Sequence, residues 1–104
     1  MNILLVCAAG MSTSLLVNRM NEAAKKEGID VHIEAHPVSS VASFGDAADV
    51  ILLGPQVRFL LEKTKEQFAP QGIPVAAIAP EIYGMMDGEK ALKEALRLIK
   101  QNKK

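Results

Sequence analysis

Two four-residue runs of this sequence consist wholly of large aliphatic side chains: Ile3-Leu4-Leu5-Val6 near the start and Val50-Ile51-Leu52-Leu53 in the middle. A strand with one wet face alternates apolar and polar residues, so uninterrupted runs of this kind belong in a parallel sheet covered on both sides. Each run leads into a helical pattern. After the first, Leu16, Met20, Ala23 and Ala24 keep helical spacing through Ser14 to Lys26, and Gly28 is placed to end the helix. After the second, Gly54-Pro55-Gln56 turns the chain into a helix with Pro55 in its first turn, presenting Val57, Leu60, Leu61, Thr64 and Phe68 on one face. Val31 to His36 alternates, with His32, Glu34 and His36 on the polar side; this predicts an edge strand bearing solvated histidines, of which His36 could border a site. Ile73 to Ala79 reads as a fourth strand, with Pro74 near its start as an edge position permits. Pro37 to Ala48 supports at most a short helix, and Pro80 to Asp87 reads as a loop. Asp87 is the expected N-cap of a last helix with Ala91, Leu92, Ala95, Leu96 and Ile99 inward.

Strand and helix thus alternate four times over 104 residues, which predicts a single α/β domain spanning residues 1–104. The apolar strands belong in the middle and the other two outside. A four-stranded parallel sheet of order 2-1-3-4 between two helical layers satisfies every pattern, a three-layer, flavodoxin-like arrangement. Ligands in such sheets sit beyond the C-terminal strand ends where the order reverses, here between strands 1 and 3. That crevice holds Cys7, with Gly54-Pro55-Gln56 alongside. Twelve basic and twelve acidic side chains balance, and no basic run precedes Lys103 and Lys104, so neither nucleic acid nor a membrane surface is an expected partner. One cysteine excludes an internal disulfide and a multi-cysteine zinc site. No metal or cofactor is expected. The chain lacks a spanning apolar run and a signal-peptide pattern, so the expected location is the cytoplasm.

Cys7 closes the first strand, and Ala8 to Ser14 lead into a helix whose first backbone N–H groups have no intrahelical partners. Such a terminus attracts anions and favours a thiolate, which predicts a nucleophile and an oxyanion cradle in one loop, with the sulfur bare at its mouth. A packing role stands beside this: free cysteine often acts as a small buried hydrophobe, and Thr13 or Ser14 serves equally as a helix cap. In that case the chain is a non-catalytic flavodoxin-like binding module. The loop has one glycine and no lysine, so it matches neither nucleotide-binding glycine motif. It comes closer to the strand–Cys–loop–helix of low-molecular-weight phosphatases, where Cys-x-x-x-x-x-Arg clamps phosphate. Here Thr13 holds the arginine position and Arg19 lies well into the helix. Without that arginine to assist attacking water, a phosphoryl group on sulfur should persist, which suits a carrier better than a hydrolase. A phosphatase or arsenate-reductase-like enzyme is the alternative.

Cys7-Ala8-Ala9-Gly10-Met11-Ser12-Thr13-Ser14-Leu15-Leu16-Val17, with Leu52-Leu53-Gly54-Pro55-Gln56 and Tyr83-Gly84 ahead of Asp87-Gly88, resembles the enzyme IIB subunit of the bacterial sugar phosphotransferase system, lactose and chitobiose/cellobiose class. The resemblance covers essentially the whole chain. It implies a cytoplasmic phosphotransferase in which Cys7 takes phosphate from a phosphohistidine on a IIA protein and passes it to a sugar, a β-linked disaccharide, held by the membrane IIC transporter. It further implies that Ala8, Ala9, Gly10, Met11, Ser12, Thr13 and Ser14 bind the phosphoryl group, and that Met11, Gln56, Tyr83 and Met85 face the partners. Methionines also serve as core gap-fillers, and that reading stays open for Met11, Met85 and Met86.

Overall fold

The computed structural model describes residues 1–7, 13–37, 39 and 47–102, the side chains of Thr13 and Asn102 excepted. The strands are β1 (Asn2–Cys7), β2 (His32–Pro37), β3 (Val50–Leu53) and β4 (Val75–Ala77). The helices are α1 (Thr13–Glu27), α2 (Leu61–Phe68), α3 (Pro80–Gly84) and α4 (Gly88–Asn102), with 3-10 segments at Pro55–Leu60 and Ala69–Gln71. All strand pairs are parallel and the order is β2-β1-β3-β4, as the hydrophobic pattern requires.

The register sorts the core onto two faces. Ile3, Leu5, Val50 and Leu52 point to one side, where Leu16, Met20 and Ala24 of α1 and Ala91, Leu92, Ala95 and Ile99 of α4 bury them. Leu4, Val6, Ile51 and Leu53 point to the other, against Val57, Phe68 and Val75, with Leu60 and Leu61 packed at the margin. Thr64, the buried polar member of this layer, satisfies its hydroxyl by donating to Leu60 O at 2.8 Å.

The helix ends follow local chemistry. Gly28 adopts a φ of +70°, and the bonds Gly28 N–H to Lys25 O (3.3 Å) and Ile29 N–H to Ala24 O (2.8 Å) close α1 with a left-handed C-terminal turn. Asp87 caps α4: its carboxylate accepts from Lys90 N–H at 3.1 Å. Gly88, the first residue of α4, is buried against α1; a Cβ there would fall 2.3 Å from the backbone carbonyl carbon of Arg19. Only glycine lets the two helices approach this closely.

Three expectations are corrected. The continuous helix after Pro55 is instead a 3-10 segment followed by α2, because Val57 takes a non-helical φ of −120° and ψ of 18° while its side chain turns into the core. Strand pairing is confined to Val75–Ala77 within the stretch from Ile73 to Ala79, although Ile51 N–H still reaches Pro74 O at 3.0 Å and Ile78 N–H reaches Leu53 O at 2.8 Å. Pro80 to Gly84 is a short helix rather than loop: Pro80 enters it from an extended Ala79, and Met86, at φ 50°, follows its end.

Candidate active site

Cys7 is the last residue of the central strand β1, paired with Pro37 of β2, one residue past the rung that joins Val6 to Leu53. Gly54 N–H extends the ladder by one bond to Val6 O at 2.8 Å, so Cys7 and Gly54 lie side by side at the C-terminal edge of the sheet. This is the switch point: from β1 the order runs outward to β2 on one side and to β3 on the other. Helix α1 begins at Thr13, six positions beyond the cysteine, and Ser14 is exposed on its first turn. Ala8, Ala9, Gly10, Met11 and Ser12, and the side chain of Thr13, lie outside the described residues.

The thiol does not project freely. Cys7 is only 2 % exposed, a correction to the bare sulfur expected from sequence.

Gln56, on the 3-10 segment, is exposed, yet its carboxamide oxygen folds back over Gly54: a Cβ built on Gly54 would lie 3.0 Å from Gln56 Oε1 and 3.7 Å from Cys7 Cβ. The sequence placed Gln56 beside the crevice but gave no sign of this inward turn. Tyr83, expected to face a partner, is 8 % exposed and sits in the core layer under α4. Helix α3 directs it inward, whereas Met85 just past that helix is 79 % exposed. Phe59, in the 3-10 segment beyond Gln56, is 77 % exposed and was not singled out by sequence reasoning, because an aromatic among the apolar residues Val57, Leu60 and Leu61 carries no signal of its own.

The histidines lie to one side. His32, Glu34 and His36 share one face of β2, and the Glu34 carboxylate bonds the Nε2 atoms of both, at 2.8 Å in the case of His36. These bonds, His36 first and His32 second, hold Glu34 below the ordinary carboxylate value near 4.5. Val6, one position before Cys7, is the register partner of His36. Among the described residues no three His, Cys, Asp or Glu side chains are grouped to hold a metal ion, and no helix is long and apolar enough to cross a membrane.

A family model for the lactose/cellobiose-specific IIB subunit of the PTS system matches residues 2–94. The chain belongs to this family. It is 40 % identical to the PTS system galactose-specific EIIB component of Lactococcus lactis subsp. cremoris over 102 residues, covering 93 % of this chain and 94 % of that one. The solution structure of the cellobiose-specific phosphotransferase IIB component of Borrelia burgdorferi superimposes with a TM-score of 0.82 at 44 % identity, covering 98 % of this chain and 94 % of that one. A longer relative, the PTS system lactose-specific EIICB component of Streptococcus mutans, is 32 % identical over 93 residues, which are 88 % of this IIB chain but 16 % of that protein. As a IIB subunit the chain is a phosphotransferase component of sugar transport.

Proposed function

We propose that this IIB subunit is a phosphocysteine carrier: Cys7 accepts a phosphoryl group from a phosphohistidine on a IIA protein and hands it to a sugar bound by a membrane IIC transporter. One observation carries the reading. The chain's lone cysteine stands at the C-terminal end of the central strand, at the switch point of the sheet, with the start of α1 six residues on. The phosphorus leaves an imidazole nitrogen for sulfur as one N–P bond breaks and one S–P bond forms; a sugar hydroxyl oxygen then displaces the thiolate, a good leaving group that needs no acid from this chain. Ala8 to Ser14 supply backbone N–H groups and hydroxyls as the phosphoryl cradle, and Met11, Gln56 and Met85 border the partner-facing surface. In EIICB proteins such as the streptococcal relative the transporter and this subunit are one chain, which supports a IIC partner here and work on the cytoplasmic side of the membrane.

The sugar is set elsewhere. Relatives at 40 % and 44 % identity carry galactose and cellobiose in their names, so the IIB scaffold is shared among sugars and a β-linked disaccharide is the class proposed here.

Because Cys7 is buried, a donor phosphorus has to reach the sulfur at the C-terminal edge of the sheet. The test is transfer of radiolabelled phosphate from phosphorylated IIA protein to the purified chain. An acid-stable, thiol-type label is expected on the native chain and none on Cys7→Ala. Equal labelling of the two would refute the carrier reading, as would a native chain that takes no label.

A further inference from the structure

Gly54 raises a question that its backbone does not answer. Its φ of −64° and ψ of 155° are ordinary extended values that any residue adopts, so the glycine is not required by conformation. What an added side chain would disturb is the space around it, and first the end of the Gln56 side chain. The hydrogen in place of a side chain leaves a methyl-sized gap walled by Gln56 Oε1 at 3.0 Å, Val6 O at 3.5 Å and Cys7 Cβ at 3.7 Å from where a Cβ would stand. The gap therefore lies between the cysteine and the only side-chain end in that wall that carries hydrogen-bond donors.

The backbone on either side of Gln56 is held in place. Gly54 N–H is bonded to Val6 O, and Val57 N–H donates to Gly54 O at 3.0 Å, which locks the start of the 3-10 segment against the end of β1. Pro55 restricts the residue between them. A carboxamide across this gap from the cysteine offers two N–H donors without a charge, and Ala8 to Ser14 contain no lysine or arginine to do the same work.

We propose that the Gln56 carboxamide is a side-chain ligand of the phosphoryl group carried on Cys7, and that position 54 is glycine to keep the way between them open. This rests on the carrier reading and adds one residue to it. A dianionic phosphoryl group on Sγ takes an N–H from Gln56, the amide turning to present its nitrogen; the neutral ligand steadies the anion without trapping it, as a carrier needs.

The experiment uses the isolated chain after labelling by phosphorylated IIA protein and removal of the donor, so that contacts with partners do not enter. The phosphocysteine 31P resonance is followed through a pH titration in the native chain, in Gln56→Leu, in Gln56→Glu and in Gly54→Ala. Loss of a charge-assisted donor in Gln56→Leu is expected to raise the phosphoryl pKa by about one unit, and the added negative charge of Gln56→Glu to raise it further. Gly54→Ala, which crowds the carboxamide aside, should move it the same way by a smaller amount. Gln56 is exposed, so Gln56→Leu keeps the fold, and an unchanged far-ultraviolet spectrum checks this. A resonance and titration in Gln56→Leu identical to those of the labelled native chain would overturn the proposal while leaving the carrier reading intact. If Gln56 only meets a partner, transfer from IIA slows but the isolated spectrum does not move, and that outcome also overturns it. A native chain that takes no label removes the carrier reading and this proposal together.

Discussion

The two faces of the sheet are built from the same alternating strands yet are closed in different ways. Under α1 and α4, two 15-residue helices contribute Leu16, Met20, Leu92, Ala95 and Ile99 to one layer, and the backbones of the two helices touch at Gly88. Among the described residues, the opposite face has an eight-residue helix and a 3-10 segment, and Phe68 is the largest side chain that either contributes in full burial. Among the described residues its edge is polar: on β2, beside Leu4, stands Glu34 with its two histidines. Among the described residues, one face is redundant in its packing, and the other rests on fewer large side chains and finishes in polar chemistry.

The largest effect should come from the thinner face. Phe68→Ala is expected to cost about 4 kcal/mol, because neither the two-turn α2 nor the 3-10 segment has a second large buried side chain to collapse into the space. Leu92→Ala, with Met20 and Ile99 in the same layer to relax, should cost about 3 kcal/mol. Urea unfolding of the two variants measures both values, and equal losses would show that the faces do not differ in redundancy.

A second effect tests the thicker face at its tightest point. Gly88→Ala puts a carbon 2.3 Å from the Arg19 backbone, and since no side chain can rotate away from that contact, α1 and α4 must part. The expected cost is about 2 kcal/mol in the same unfolding assay, with the Cys7 labelling rate unchanged. A neutral substitution would mean that the helices slide apart without loss, and that this face too is loosely fastened.

What the sequence showed of these faces depended on whether a feature was local. The runs Ile3–Val6 and Val50–Leu53, the alternation around His32, Glu34 and His36, the C-terminal Gly28 and the Asp87 cap are each written in a few adjacent residues, and all were read correctly. The break at Val57 and the short helix at Pro80–Gly84 were missed, because a 3-10 turn and an α turn bury similar spacings and the choice between them was made by packing onto the sheet. Tyr83 was placed outside for the same reason: in a segment taken as loop, nothing indicated an inward face. The site divides similarly. The position of Cys7 at a strand end before a helix was legible from adjacent residues, while its burial and its place beside Gly54 and Gln56 depend on strands far apart in sequence. Ala8 to Ser12, on which the cradle depends, lie outside the described residues.

The smallest effect belongs to the polar margin of the thinner face. Glu34 accepts hydrogen bonds from His36 and His32, which hold its carboxyl below the ordinary value near 4.5. A carboxylate with a depressed native pKa contributes stability that is fully present above its unfolded value and is lost as pH falls through the native one. Its contribution should therefore be complete above about pH 4.5 and fade in more acidic solution. Side chains this open to water are screened, so the gain is small and salt-sensitive. Urea midpoints of the native chain and of Glu34→Gln, taken from neutral pH down into that acid range, should differ at neutrality and converge as the carboxyl protonates. Added salt should shrink the neutral difference. A gap that stays constant with pH would place the effect of the substitution in packing rather than charge, and β2 would then be a covered margin of the thinner face instead of its wet one.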